Sequence, residues 1–149
     1  MVYKKFMKGK INYSWTFFVL FLGFSFLVMP GENRELLKKI GREGIQNKLP
    51  NGDYFIYSFS EKPKIGTTIV VIKFFNRDNF QITGYDVQGR SDMPSMGGAH
   101  NSGWKKFIVN KMNNYLLPVD IVMRGEWEIR LKIQKDNLEM LQGYINFEI

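Results

Sequence analysis

From Glu126 to Ile133 hydrophobic and polar residues alternate strictly. Trp127, Ile129, Leu131 and Ile133 fall on one side, Glu126, Glu128, Arg130 and Lys132 on the other. Successive side chains of an extended backbone point to opposite faces, so this period of two predicts a strand with one buried and one wet face. Leu141, Ile145, Phe147 and Ile149 repeat the pattern at the C-terminus, with Tyr144, Asn146 and Glu148 opposite. Upstream, Tyr54 to Phe59 is aromatic and β-branched, framed by Asn51-Gly52-Asp53 before and Pro63 after, the composition and punctuation of a strand. Thr67 to Phe75 is a second run, too apolar to leave one face in water. Phe80 to Val87, Phe107 to Val109 and Leu116 to Met123 supply the others. In the last of these Met123 is in phase with Val119 and Ile121, which predicts a core position. Strands at a spacing of roughly ten residues, with no convincing helix between them, predict an all-β antiparallel sandwich over residues 51–149.

The N-terminus reads differently. Lys4, Lys5, Lys8 and Lys10 precede an uncharged stretch from Ile11 to Gly31, of which Trp15 to Met29 is nearly pure hydrocarbon and aromatic. A basic start and an apolar run are the layout of an export signal. The stretch also meets the roughly 20 residues that a membrane-spanning helix needs. Gly23-x-Ser25 is the only weak small-x-small site for cleavage, so an uncleaved anchor is preferred to a removed signal. Residues 1–31 are thus expected to be an N-terminal transmembrane (or signal) helix. A single pass through the inner (cytoplasmic) membrane then leaves the C-terminal domain in the periplasm or extracytoplasmic space. Residues 32–50 form a charged, partly helical linker: Glu32 to Ile40 carries acids early and lysines late, as a helix dipole prefers, before Gly41 and Gly44 break it.

The formal net charge is +7, and the four lysines before the apolar run account for more than half of it. The remainder is spread along the chain, which argues against a nucleic-acid partner. There is no cysteine and a single histidine. Disulfides and thiolate zinc sites are excluded, and the usual nucleophile–base pairs nearly so. Asp78, Asp86, Asp92 and Asp120 show no spacing that suggests paired carboxylate chemistry. The expectation is a protein that is not an enzyme.

The lone histidine lies in Asp92-Met93-Pro94-Ser95-Met96-Gly97-Gly98-Ala99-His100. Two thioethers and an imidazole form a soft donor set of the kind that selects Cu(I) over harder ions. Met93, Met96 and His100 are therefore the candidate metal ligands. Extended, the segment would span about 23–25 Å, so it must fold back for the three to share an ion. Gly97-Gly98 makes a reversal easy and Pro94 stiffens the other arm. The alternative is that both methionines plug one end of the sandwich as flexible gap-fillers, with His100 on the surface. Trp127 is most simply a core aromatic, although a cation–π contact with bound copper is conceivable. Trp104 reads either as an exposed aromatic marking a partner surface or as a strand cap. Met112, near the Asn113-Asn114 turn, has no requirement to approach the loop.

The order of these features resembles the YtkA-like and FixH-like group of small membrane-anchored or exported envelope domains. The likeness is carried by Pro63-Lys64-Ile65-Gly66 before a long strand, then Met93-Pro94-Ser95-Met96 with His100 close behind. Tyr115 and the Val119 to Ile129 stretch, with its Met123-x-Gly125-x-Trp127 strand entry, complete it. It covers residues 63–133. The N-terminal region departs from the fuller FixH-like pattern. The resemblance implies an immunoglobulin-like β-sandwich in the cell envelope, with roles in copper handling or in the assembly of copper-containing respiratory oxidases. Its implied partners are such an oxidase or a copper transporter. A metal-independent interaction module of a membrane or envelope complex is the rival expectation, with the methionines as packing.

Overall fold

A computed structural model describes residues 37–149. The expected membrane span and the start of the linker lie outside the described residues. Just over half of the described residues are in strands, and their one helical piece is a single 3-10 turn, Pro94–Met96. No helix among them is long and apolar enough to cross a membrane.

Among the described residues eleven strands run in the order β1 (Lys38–Lys39), β2 (Asn47–Lys48), β3 (Tyr54–Phe59), β4 (Gly66–Phe75), β5 (Gln81–Ile82), β6 (Asp86–Asp92), β7 (Lys105–Lys106), β8 (Ile108–Val109), β9 (Tyr115–Ile121), β10 (Glu126–Lys135) and β11 (Leu138–Glu148). They form two sheets. The first has the order β1-β11-β10-β6-β7, and the second β2-β3-β4-β9-β8 with β5 paired to β4. All pairings are antiparallel except β1 with β11. The core collects the inward residues of both sheets: Ile129, Leu131 and Ile133 from β10, Val70, Ile72 and Phe74 from β4, and Leu117 and Val119 from β9 are all buried. Each such side chain contributes about 1.5–3 kcal/mol relative to exposure. This is the β-sandwich arrangement expected from the alternating pattern.

One glycine sets how closely the layers approach. A Cβ on Gly89, in the middle of β6, would sit 2.6 Å from Leu117 and 2.9 Å from Phe107. Only a bare α-carbon lets those side chains reach their places, because close-packed interiors leave no room for another methyl.

Four expectations change on contact with the structure. Phe80 to Val87 is not one strand: the chain leaves the second sheet after Ile82 and joins the first at Asp86, turning through Gly84 at φ +96°. From residue 37 onward the linker is not a helical spacer. Lys38–Lys39 pairs with β11 and Asn47–Lys48 with β3, and Ile40 and Leu49 are buried. Sheet edges offering unpaired backbone groups outweigh weak helix propensity here. Met123 is 38% exposed rather than in the core; β9 ends at Ile121, so alternation no longer governs it. Glu128, expected on the wet face, is 1% exposed and accepts a hydrogen bond from Arg130 Nε at 2.7 Å. A buried carboxylate is tolerable only with such a partner.

Candidate functional site

The loop between β6 and β7 is closed at its stem by two serines. Ser102 N–H donates to the Ser91 carbonyl at 3.0 Å, and Ser91 N–H to Ser102 Oγ at 2.9 Å. Within the loop the chain turns repeatedly: Met96 N–H donates to Met93 O at 3.0 Å, Ala99 N–H to Met96 O at 3.2 Å, and Asn101 N–H to Gly98 O at 3.1 Å. Gly97 and Gly98 take φ values of +57° and +85°, a backbone region that glycine enters without penalty. The Asp92 carboxylate accepts the Met93 N–H at 2.8 Å and fixes the entry.

The 3-10 turn of this loop packs against β10. Met93 is buried, and its terminal methyl lies 3.0 Å from where a Cβ on Gly125 would stand. Gly125, at φ +135°, exchanges two backbone hydrogen bonds of 3.2 Å with Ile149. Two residues on, the buried indole of Trp127 donates from Nε1 to the Met123 carbonyl at 3.1 Å, holding the β9–β10 turn in shape. The partly buried His100 ring lies 6.4 Å from the Trp127 ring, tilted by 43°. Met93 and His100 thus both adjoin the Gly125–Trp127 corner. Met96 is 45% exposed on the 3-10 turn, and Met123 shows its side chain at the neighbouring turn.

Among the described residues no group of three or more His, Asp or Glu side chains converges to hold a metal ion. The single acids noted in the sequence have separate structural tasks: Asp120 accepts from Thr67 at 2.8 Å and Asp86 from Lys106 at 3.1 Å. Trp104 is partly buried beside two cations, 4.2 Å from Lys132 Nζ and 5.1 Å from the Arg90 guanidinium.

A second polar cluster escapes the sequence altogether. Asp53 Oδ2 accepts from Tyr85 OH at 2.6 Å, Asn51 Nδ2 at 2.9 Å and Lys135 Nζ at 3.0 Å. Lys135 Nζ also lies 4.9 Å above the Tyr85 ring, which stacks on Phe74 at 4.1 Å. Burial works to raise the Asp53 pKa, but the hydrogen bonds from Tyr85, Lys135 and Asn51 together hold it below the ordinary value. Burial, then the hydrogen bond to Asp53, pushes the Tyr85 hydroxyl up. The bond to Asp53 raises Lys135. Asn51-Gly52-Asp53 reads in sequence only as a turn, and its partners stand 32 and 82 residues away.

Compared with known proteins, the chain matches no family model and no curated protein.

Proposed function

We propose that this protein is a membrane-anchored, envelope-facing β-sandwich of immunoglobulin-like type that binds or relays a soft metal, Cu(I), and is not an enzyme. The metal would be held at the rim formed by the β6–β7 loop and the β9–β10 turn. One observation carries the reading: the Met93 thioether and the His100 imidazole both adjoin one corner, Gly125–Trp127, with Met96 exposed on the same loop and Met123 on the β9–β10 turn. The resemblance to YtkA-like and FixH-like domains supports the same reading and suggests service to a copper-containing oxidase or to copper homeostasis. Cu(I) accepts two or three soft ligands. Met96 and His100 are the accessible pair, and Met93 joins only by turning its thioether out from beneath Gly125. Protons compete with a metal ion for an imidazole nitrogen, so acid should weaken binding.

Ag(I) or Cu(I) titration of the full chain tests this. Met96→Ala with His100→Ala should weaken binding at least tenfold, while Met93→Leu conserves the core volume and isolates the third ligand. Equal, weak binding by the wild type and the double variant removes the proposal. The rival reading is metal-independent docking on a membrane complex. It is favoured by the exposed apolar edge at β8, where Ile108 and Val109 are 67% and 44% exposed. A crosslinked partner retained by the double variant would support it.

A further inference from the structure

The sandwich is incompletely closed along one side. β1 and β2 are two residues long, and the connection between them passes from the first sheet to the second. Behind that connection the inter-sheet space opens into a pocket of about 340 Å³. This lies within the range of about 300–1,000 Å³ typical of small-molecule sites.

Its inner wall is aromatic. Alternation sends Tyr57 and Phe59 of β3 and Phe147 of β11 inward, near the strand ends where the interior runs out. Phe59 and Phe147, from opposite sheets, lie 5.0 Å apart between ring centroids, and Tyr57 meets Phe59 edge-on at 6.2 Å. The rim has a different character. Lys39 and Arg42 line the opening, both exposed, and neither forms an ion pair among the described residues. The one acid in the lining, Glu43, accepts the Phe59 N–H at 2.8 Å and is thereby engaged with the protein's own backbone. Burial first, and Glu43 second, push the Tyr57 hydroxyl above its ordinary pKa, so it meets an incoming anion uncharged.

An aromatic inner wall, with two exposed cations and one hydrogen-bonded carboxylate at the rim, suits a ligand that is flat and apolar at one end and anionic at the other. Ring faces gain from offset or edge contacts with aromatic walls, and a guanidinium grips a carboxylate through two parallel hydrogen bonds. We propose that this pocket binds an aromatic carboxylate of one or two rings, with the ring system lying against the wall that Phe59, Phe147 and Tyr57 form together and the carboxylate at Arg42 and Lys39. The site is independent of the metal reading and requires none of Met93, Met96 or His100.

The probe is 2-naphthoate, with neutral 2-naphthylmethanol as its control, titrated into the full chain and followed by amide chemical shifts. Saturable shifts at Tyr57, Phe59 and Phe147 are expected. Lys39→Gln with Arg42→Gln should weaken 2-naphthoate at least fivefold and change 2-naphthylmethanol less than twofold. These side chains are exposed, so the double variant should keep the wild-type spectrum elsewhere. Absence of saturable shifts at the three aromatics, or equal 2-naphthoate affinity in the wild type and the double variant, overturns the proposal.

Discussion

The two ends of β10 carry opposite kinds of polar chemistry. At the C-terminal end Lys135 joins Asp53, Tyr85 and Asn51 in a cluster that links both sheets through one carboxylate oxygen. At the N-terminal end Trp127 anchors a turn and a loop where Met96 and Met123 stand exposed and the His100 ring lies 6.4 Å from the Trp127 ring. The first is polar chemistry spent on architecture, since a buried charge persists only when its partners are supplied. The second leaves donors free for something else. The contrast teaches where to look for a ligand: among groups the fold has placed but not consumed.

The sharpest way to break this comparison is to damage the architectural end. Asp53→Ala strands the Tyr85 hydroxyl and the Lys135 ammonium and should cost about 2–4 kcal/mol of stability, since a removed acceptor leaves buried donors unpaired. Urea denaturation followed by near-UV circular dichroism reads this, and a loss below about 0.5 kcal/mol, the scale of ordinary surface changes, would deny the cluster its role.

The pH dependence follows from the same group. The folded Asp53 pKa is depressed, so its stabilisation is present above the unfolded value of about 3.9 and lost as pH falls through the lower folded value. At the alkaline side Lys135 is raised. Its contribution is complete below about 10.4, the unfolded lysine value, and is lost as pH rises through the folded one. Asp53→Asn should flatten both limbs of the stability profile, and an unchanged profile counts against the assignment.

A smaller effect is expected at the other end. Trp127→Phe keeps an aromatic ring but leaves part of the buried indole space empty and removes the hydrogen bond to the Met123 carbonyl, for a loss of about 1–3 kcal/mol. It should also loosen the turn and reduce Ag(I) affinity by a few-fold. Smallest of all, Met96→Ala should change stability by less than about 0.5 kcal/mol, as exposed substitutions do, and the half-buried His100→Ala by less than about 1 kcal/mol. A stability loss near that of Asp53→Ala would mean that this end too is architecture.

The strands were largely legible. Tyr54–Phe59 is a strand with the bounds its composition marks, and the alternation from Glu126 to Ile133 continues two residues further as β10. Both patterns are local, and burial of one face enforces them directly. Met93 and Met96 were not distinguishable by type, yet the fold buries the first under Gly125 and exposes the second. Glu128 looked like its polar neighbours Glu126 and Arg130 until its exposure was known.

What the sequence determined alone is therefore the backbone's two-residue rhythm and the stock of donors available to it: one imidazole, several thioethers and no thiol. Tertiary structure decided which donors the core absorbs, that Asp53 meets Lys135 across the sandwich, and that one side stays open beside Phe59 and Phe147. The reason is physical: periodicity is written in neighbouring residues, whereas burial and partnership depend on segments distant in the chain that only the folded layers bring together.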